Sequence, residues 1–199
     1  FGDLKTEESK TIAKEVVRGI GGYGNPLGIP NLGGDTAFDA GYNTNCLVNV
    51  VCHGIVREDE VIHSYVPQEA GEVGYDIIIV GKPTDRSGFG GAAFASLTLQ
   101  EEEKEKNTGA VQEPNPFLER HLLVSAYALF DWLVTEGKLG KVGFKDLGAG
   151  GVVCASVEQV DAQGFGADID LEKVHTAMED LPPEIIACAE TQERFCWTC

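Results

Sequence analysis

The sequence is poor in positive charge. It has 15 lysine and arginine residues against 32 aspartate and glutamate residues, which gives a formal net charge of −17. Binding to a nucleic-acid backbone needs clustered cations, so this charge balance argues against a nucleic-acid partner. Small anionic ligands remain compatible with the sequence, because backbone N–H groups and metal ions hold phosphate without net positive charge.

Long apolar runs are also missing, and we do not expect a signal peptide. No apolar run approaches the ~20 residues that span a bilayer, and the first residues have neither the basic nor the apolar region of a signal peptide. The six cysteines lack the spacing of a secreted disulfide framework. Cys196 and Cys199 have metal-ligand spacing, but no second Cys or His pair accompanies them. We therefore expect a cytoplasmic protein with no membrane partner.

Glycine is the residue in excess. The chain has 25 glycines, and 14 of them lie in three bursts, at residues 19–34, 81–91 and 148–151. Clustered glycines between apolar segments mark places where the backbone turns sharply or approaches a ligand closely. The bursts are therefore the first candidates for a ligand site, with plain turn formation as the alternative.

Apolar periodicity predicts a layered α/β (α+β) fold. Thr6 is the predicted N-cap of the first helix and Gly19 its end, and an irregular segment is expected over residues 21–45. Helices are predicted at 6–19, 116–136, 152–163 and 182–189, and strands at 46–56, 75–81, 142–147, 167–171 and 193–199. The chain ends inside the last predicted strand, which we interpret as the mark of a piece of a longer protein.

The first candidate site is the glycine-rich loop Gly81–Ser96, which follows the predicted strand 75–81. A strand that leads into such a loop directs N–H groups to one point, and the dipole of a following helix adds positive potential there. Lys82 and Arg86 are suited to charge-assisted hydrogen bonds with phosphate. Neither the P-loop pattern nor the dinucleotide-binding fingerprint is present. Phosphate binding and a purely structural loop remain equally open.

The second and third candidates are acidic turns. Asp146 ends a predicted strand in front of Gly148–Gly151, and carboxylates at strand ends are common Mg²⁺ ligands. The alternative is that Asp146 is the N-cap of the next helix. Glu190, Thr191 and Gln192 lie between a short helix and a strand, where three polar groups in a row suit ligand hydrogen bonding. A surface turn is the simpler interpretation of that segment.

Five ordered segments resemble the small, bacterial and archaeal form of phosphoribosylformylglycinamidine synthase subunit II. They are GGYGNPLGIPNLGGDTAFDAGYNTNCLVNVVCHGIV, VGKPTDRSGFGGAAFAS, VQEPNPFLER, KDLGAGGV and AETQER. The match runs nearly the whole length, and the order of the segments makes it specific. The resemblance implies an aminoimidazole-ribonucleotide-synthetase-like fold. Residues 1–60 would form the C-terminal part of the N-terminal domain, and residues 61–199 a C-terminal domain truncated at its end.

The resemblance also implies a reaction. The family uses ATP and ammonia to convert formylglycinamide ribonucleotide to formylglycinamidine ribonucleotide, with release of ADP and phosphate. Mg²⁺ is the expected metal, and a glutaminase subunit and a small third subunit are the expected partners. The rival interpretations are a paralogous ATP-dependent kinase or synthetase of the same superfamily and a non-catalytic assembly domain.

Site residues are carried over from the family motifs. Asp146 in KDLGAGG is implied as a metal ligand. Gln112, Glu190, Thr191 and Gln192 are implied as substrate-binding, with Thr191 standing where the family has Ser. The loop around Arg86 matches a family motif, and its assignment to phosphate is an inference from the chemistry of its residues Arg86, Ser87, Gly88, Gly90 and Gly91.

Three features depart from the family pattern. Asp35 replaces the usual Glu, Cys46 replaces the usual Pro, and FCWTC replaces a more aliphatic strand. The His, Lys and metal-binding Glu motifs of the family do not occur in this sequence. The resemblance therefore implies no catalytic residue in this stretch and no activity of this stretch alone.

Overall fold

A computed structural model describes residues 1–43, 46–91 and 111–199. The chain divides into two units, Phe1–Val56 and Arg57–Cys199. None of the helices in these described ranges is long and apolar enough to cross a membrane.

The first unit contains one long helix, α1, over Glu7–Leu27. Thr6 is its N-cap, as predicted, and its side chain accepts a hydrogen bond from the Ser9 N–H at 3.1 Å. The predicted end at Gly19 is wrong, and so is the irregular structure predicted for 21–27. A glycine inside a helix costs only about 1 kcal/mol, and α1 ends at Gly28, whose φ of 74° is a left-handed cap.

The strand predicted at residues 46–56 is wrong. These residues have no regular structure, and several of their apolar side chains are exposed, including Val51 and Ile55. A strand needs a partner to bond its backbone groups, and no described residue pairs with this segment. Its β-branched composition shows only that it would suit a sheet.

The second unit is built on a three-stranded antiparallel sheet. Its strands are β1 (Ile77–Gly81), β2 (Gly143–Asp146) and β3 (Arg194–Thr198), in the order β1-β3-β2. All three lie where apolar runs predicted strands. The fourth prediction in this unit, a strand at 167–171, is wrong, because a 3₁₀-helix at Leu171–Lys173 follows irregular chain there.

Helices cover both faces of this sheet. The described helices of this unit are the short α2 (Ala70–Val73), α3 (Pro116–Thr135), α4 (Gly151–Asp161) and α5 (Pro183–Cys188), and α3 and α4 are the two that pack on the sheet. On one face the α3 residue Phe130 packs on Phe144 and Trp197. On the other face, Val152 and Ala155 of α4 and the strand residue Cys196 belong to one core cluster. Alternation along β3 sends Cys196 and Trp197 to opposite faces, which confirms the layered α/β fold.

Candidate functional site

Glu190 joins the predicted site segments. It lies between α5 and β3 and is only 4% exposed. Its Oε1 accepts a hydrogen bond from the Gly150 N–H at 3.2 Å, and its Oε2 accepts one from the Gln112 side-chain amide at 3.4 Å. Gln192 donates to the Glu190 carbonyl at 3.2 Å. Segments that are 40 and 78 residues distant in sequence therefore meet at one carboxylate.

The glycine turn before α4 makes this meeting possible. Gly151 has a φ of 64°, and a Cβ atom added there would lie 2.7 Å from the carbonyl oxygen of Ala189. Only glycine allows both this conformation and this close approach. The turn therefore packs against the end of α5 and brings the Gly150 N–H to Glu190.

Asp146 is exposed at the end of β2. The alternative that it caps α4 is wrong, because Gly150 is the N-cap and no side-chain hydrogen bond caps the helix. The described residues offer no group of three His, Cys, Asp or Glu side chains for a metal ion. Mg²⁺ binds through one or two protein carboxylates, with water and substrate phosphates filling the other positions. An accessible carboxylate such as Asp146 fits that mode of binding.

The glycine-rich loop lies against Glu190 over its described part, residues 81–91. Phe89 forms a β-bridge with Ala189. A Cβ atom added to Gly88, whose φ is 69°, would lie 2.9 Å from both the Gln112 side chain and the Glu190 carbonyl oxygen. Residues 92–96 of the predicted loop lie outside the described ranges.

Over its described residues, 81–91, the loop has several amides that are already hydrogen-bonded, which does not favour the expected row of converging open N–H groups. The N–H groups of Ser87, Gly88 and Gly91 donate to Asp85 Oδ1, Val111 O and Gly88 O, at 2.9, 3.3 and 3.1 Å. The Lys82 ammonium is 3.0 Å from each of two carboxylates, Asp85 and Glu113. Arg86 is exposed. Of the two predicted phosphate-binding cations, Arg86 is therefore the accessible one.

Thr191 is fully buried, which changes its expected role. Its hydroxyl donates to Asp85 Oδ1 at 3.0 Å and accepts from the Asp85 N–H at 3.1 Å. Because both bonds are internal, the side chain fastens the loop to the Glu190 segment. Direct substrate contact through this hydroxyl, as the resemblance implied, is not what the geometry favours.

Arg194 is a central residue that sequence reasoning missed. It is 3% exposed and donates to the carbonyl oxygens of Thr191 and Ala189 and to Thr84 Oγ1, at 2.8, 2.7 and 2.8 Å. Burial lowers the pKa of Arg194 to about 10, with partial compensation from Asp85. The side chain is therefore still cationic at neutral pH. A charged residue at the start of an otherwise apolar strand was the available signal.

Asp85 links acid stability to this network. Burial raises the pKa of Asp85, but hydrogen bonds from Ser87 and the ion pair with Lys82 outweigh burial and hold it below its ordinary value of 3.8. A folded-state pKa below the unfolded value means that the charged form stabilises the fold above about pH 4. That contribution disappears as the pH falls through the folded-state pKa.

We expect the free energy of unfolding of the Asp85→Asn variant to depend less on pH, on the acid side, than that of the wild-type chain. The variant lacks the charge whose neutralisation weakens the wild type, so its free energy of unfolding changes less between about pH 5 and pH 2. Urea midpoints measured across this range check the prediction. An equal loss of unfolding free energy between pH 5 and pH 2 in the two proteins would contradict it.

Comparison with known proteins identifies the family. The model of the AIR synthase related protein, C-terminal domain, matches residues 72–199, and the model of its N-terminal domain matches residues 1–56. The chain belongs to the AIR synthase related protein family. The resemblance noted in the sequence is thereby confirmed at the level of the family and of the fold, while the boundary predicted at residue 60 stays a prediction.

Two curated relatives of this chain carry the same name. Phosphoribosylformylglycinamidine synthase subunit PurL of Methanothrix thermoacetophila is 52% identical over 98% of this chain. The corresponding protein of Methanopyrus kandleri is 42% identical, also over 98% of the chain. The chain spans about a quarter of the length of these relatives, 25% and 26% respectively.

Solved structures of Thermotoga maritima proteins share the fold. PurL complexed with FGAR superimposes with a TM-score of 0.74 at 29% identity, covering 99% of this chain and 30% of that one. PurL complexed with AMPPCP has a TM-score of 0.70 at 29% identity, covering 99% and 27%. PurLQS has a TM-score of 0.67 at 26% identity, covering 99% and 28%.

Proposed function

We propose that this chain is part of an ATP-dependent amidoligase that converts formylglycinamide ribonucleotide to formylglycinamidine ribonucleotide. The observation that carries the proposal is the convergence of the glycine loop, Gln112 and the Gly150 turn on Glu190. Solved structures that share the fold of this chain include PurL complexed with FGAR and PurL complexed with AMPPCP. The reaction belongs to purine biosynthesis and takes place in the cytoplasm.

The reaction has two steps. The substrate amide oxygen attacks the γ-phosphorus of ATP and releases ADP, and ammonia then adds to the activated carbon while phosphate leaves. Mg²⁺, when bound, would neutralise part of the negative charge of the ATP phosphates. Ammonia comes from a glutaminase subunit, and a small third subunit completes the assembly; similarity to PurLQS supports a multi-subunit complex. Residues outside this stretch complete the catalytic apparatus, so this stretch is inactive alone.

In this proposal the residues of this chain bind and orient the substrate, the phosphate groups and Mg²⁺. Gln112, Glu190 and Gln192 hold the substrate, and Thr191 and Arg194 fix the backbone that carries Glu190. Arg86 binds phosphate with its exposed guanidinium, and Ser87, Gly88, Gly90 and Gly91 shape the loop that presents it. Asp146 is the Mg²⁺ ligand.

Calorimetric titration of the full-length protein tests the proposed substrate. With Mg²⁺ and a non-hydrolysable ATP analogue present, formylglycinamide ribonucleotide should bind with measurable heat. Thiamine phosphate and aminoimidazole ribonucleotide serve as the matched alternatives. Heat from either of these and none from formylglycinamide ribonucleotide would favour a paralogous enzyme. Silence from all three would favour an assembly domain.

We expect Asp146→Asn in the full-length protein to weaken the apparent Mg²⁺ affinity by at least about tenfold. The substitution removes the ligand charge at an exposed position, so the unfolding midpoint should stay unchanged. Turnover measured as a function of Mg²⁺ concentration gives the affinity. Asp161→Asn at the exposed far end of α4 is the control. Equal Mg²⁺ dependence in the two variants would remove Asp146 from the metal site.

A further inference from the structure

The segment that carries Gln112 is irregular chain that takes its position from its neighbours. Between Val111 and Asn115 it forms neither helix nor strand. At one end the Gly88 N–H donates to the Val111 carbonyl oxygen at 3.3 Å. At the other end the Asn115 N–H donates to Glu193 Oε1 at 2.9 Å. A segment of this kind has no hydrogen-bond ladder of its own, so such contacts decide how firmly it is held.

Lys82 makes a charged contact with the middle of this segment. Its ammonium lies 3.0 Å from Oε2 of Glu113, the residue after Gln112, and 3.0 Å from Oδ2 of Asp85. The Lys82 N–H donates to the Glu193 carbonyl oxygen at 3.0 Å, which fixes the backbone of Lys82. Burial lowers the pKa of Lys82, but hydrogen bonds to Glu113 and Asp85 outweigh burial and raise it above its ordinary value of 10.5. One ammonium, charged at neutral pH, therefore joins the glycine-rich loop to the segment of Gln112.

We propose that Lys82 is a positioning residue for the substrate, which acts through Glu113 to hold Gln112 in place. The inference rests on the proposed function, in which Gln112 and Glu190 hold formylglycinamide ribonucleotide. The Gln112 amide is 3.4 Å from Glu190 Oε2, a long hydrogen bond that holds Gln112 only weakly by itself. The ion pair restrains the next residue along the chain. A binding group that is already restrained loses less conformational entropy when its ligand binds.

Direct contact between Lys82 and a phosphate group is the rival role, and it predicts an effect of the opposite sign. A phosphate would compete with Glu113 for the ammonium, so Glu113→Gln would release the ammonium and tighten the binding of an anionic substrate. Removal of a negative charge near an anionic ligand also favours binding by Coulomb's law. In the positioning role, Glu113→Gln breaks the restraint beside Gln112 and weakens binding. The direction of the change therefore separates the two roles.

Calorimetry and steady-state kinetics of the full-length protein test the proposal. Glu113→Gln should raise the dissociation constant and the KM for formylglycinamide ribonucleotide about threefold to fivefold, the effect of an ion pair with one exposed partner. Lys82→Met should raise both by at least about tenfold, because it also leaves the half-buried Asp85 carboxylate without its cation. Lys82→Arg should stay within about twofold of the wild type, since a guanidinium reaches two carboxylates. The KM for ATP should not change in the Glu113→Gln variant.

The double variant Lys82→Met with Glu113→Gln should bind no more weakly than Lys82→Met alone, because both changes break one restraint. Glu136→Gln, the same chemical change at the exposed far end of α3, is the control and should match the wild type. Loss of kcat in proportion to the folded fraction, with both KM values unchanged, would reduce Lys82 to a structural role and overturn the proposal. Unchanged or tighter binding by Glu113→Gln, or additive effects in the double variant, would also overturn it. A wild-type protein that binds no formylglycinamide ribonucleotide would overturn the proposed function, and this inference with it.

Discussion

We expect the Arg194→Met variant to lose about 2–4 kcal/mol of unfolding free energy. Methionine preserves much of the side-chain volume but leaves the carbonyl oxygens of Thr191 and Ala189 and the hydroxyl of Thr84 without their buried donor. A buried polar group that loses its partner costs about 1–3 kcal/mol. Removing a charge that is costly to bury offsets part of this loss, because burial already lowers the pKa of Arg194 to about 10.

Urea unfolding followed by tryptophan fluorescence measures this loss, because Trp197 of β3 is buried in the folded chain and becomes exposed on unfolding. Arg86→Met makes the same chemical change at an exposed position of the neighbouring loop and should stay within about 0.5 kcal/mol of the wild type. Matching midpoints for the two variants would show that the three Arg194 hydrogen bonds do not hold the site segments together.

The elements with strong local signals could be predicted from the sequence. Helix α3 was located within a residue or two, because Pro116 favours a first turn and its apolar residues recur at helical spacing. The strands β1 and β3 were located for a similar reason, since short apolar runs bounded by glycine or polar residues suit a buried sheet. In these elements local propensity and tertiary packing favour the same structure.

The predictions that were wrong concern segments whose structure depends on contacts that the local sequence does not show. Residues 46–56 have strand composition, yet a strand forms only with a neighbour, and neighbours are not encoded locally. Helix α1 continues past Gly19 because single glycines weaken a helix without ending it. The helix ends at Gly28, because that glycine adopts a left-handed φ. The sequence alone does not reveal which glycine does so.

Most of the site polar network was likewise beyond sequence reasoning. Asp85 and Thr191 are 106 residues apart, and Thr84 and Arg194 are 110 apart. No spacing rule connects such positions. The family motifs singled out Glu190 and Gln112, but the structure adds that their side chains touch and that Gly150 completes the contact. The two bonds between Thr191 and Asp85 favour a supporting role for Thr191 beside Glu190, while its contact with a ligand stays a prediction.

Glu190→Gln should therefore cause the largest functional loss among the site residues. The carboxylate accepts from two donors, the Gly150 N–H and the Gln112 amide. A glutamine offers one acceptor oxygen and turns its own NH₂ toward the other donor. The donor–donor contact separates Gln112 from the turn, and the negative charge of the Glu190 carboxylate, which we propose binds the substrate, is lost. We expect kcat/KM of the full-length enzyme for formylglycinamide ribonucleotide to fall about 100-fold, or about 2.7 kcal/mol.

Glu193→Gln is the matched control for this loss. Glu193 is as buried as Glu190, lies three residues further along the same segment, and accepts from the Asn115 N–H at 2.9 Å through Oε1. A glutamine retains an oxygen for that bond, so this variant should change stability more than substrate use. Unfolding midpoints and kcat/KM measured on both variants separate the two effects. If both variants lose kcat/KM in proportion to their loss of stability, Glu190 supports the fold and does not bind the substrate. A loss of kcat/KM confined to Glu190→Gln, with the folded fraction unchanged, would place the carboxylate in contact with the ligand.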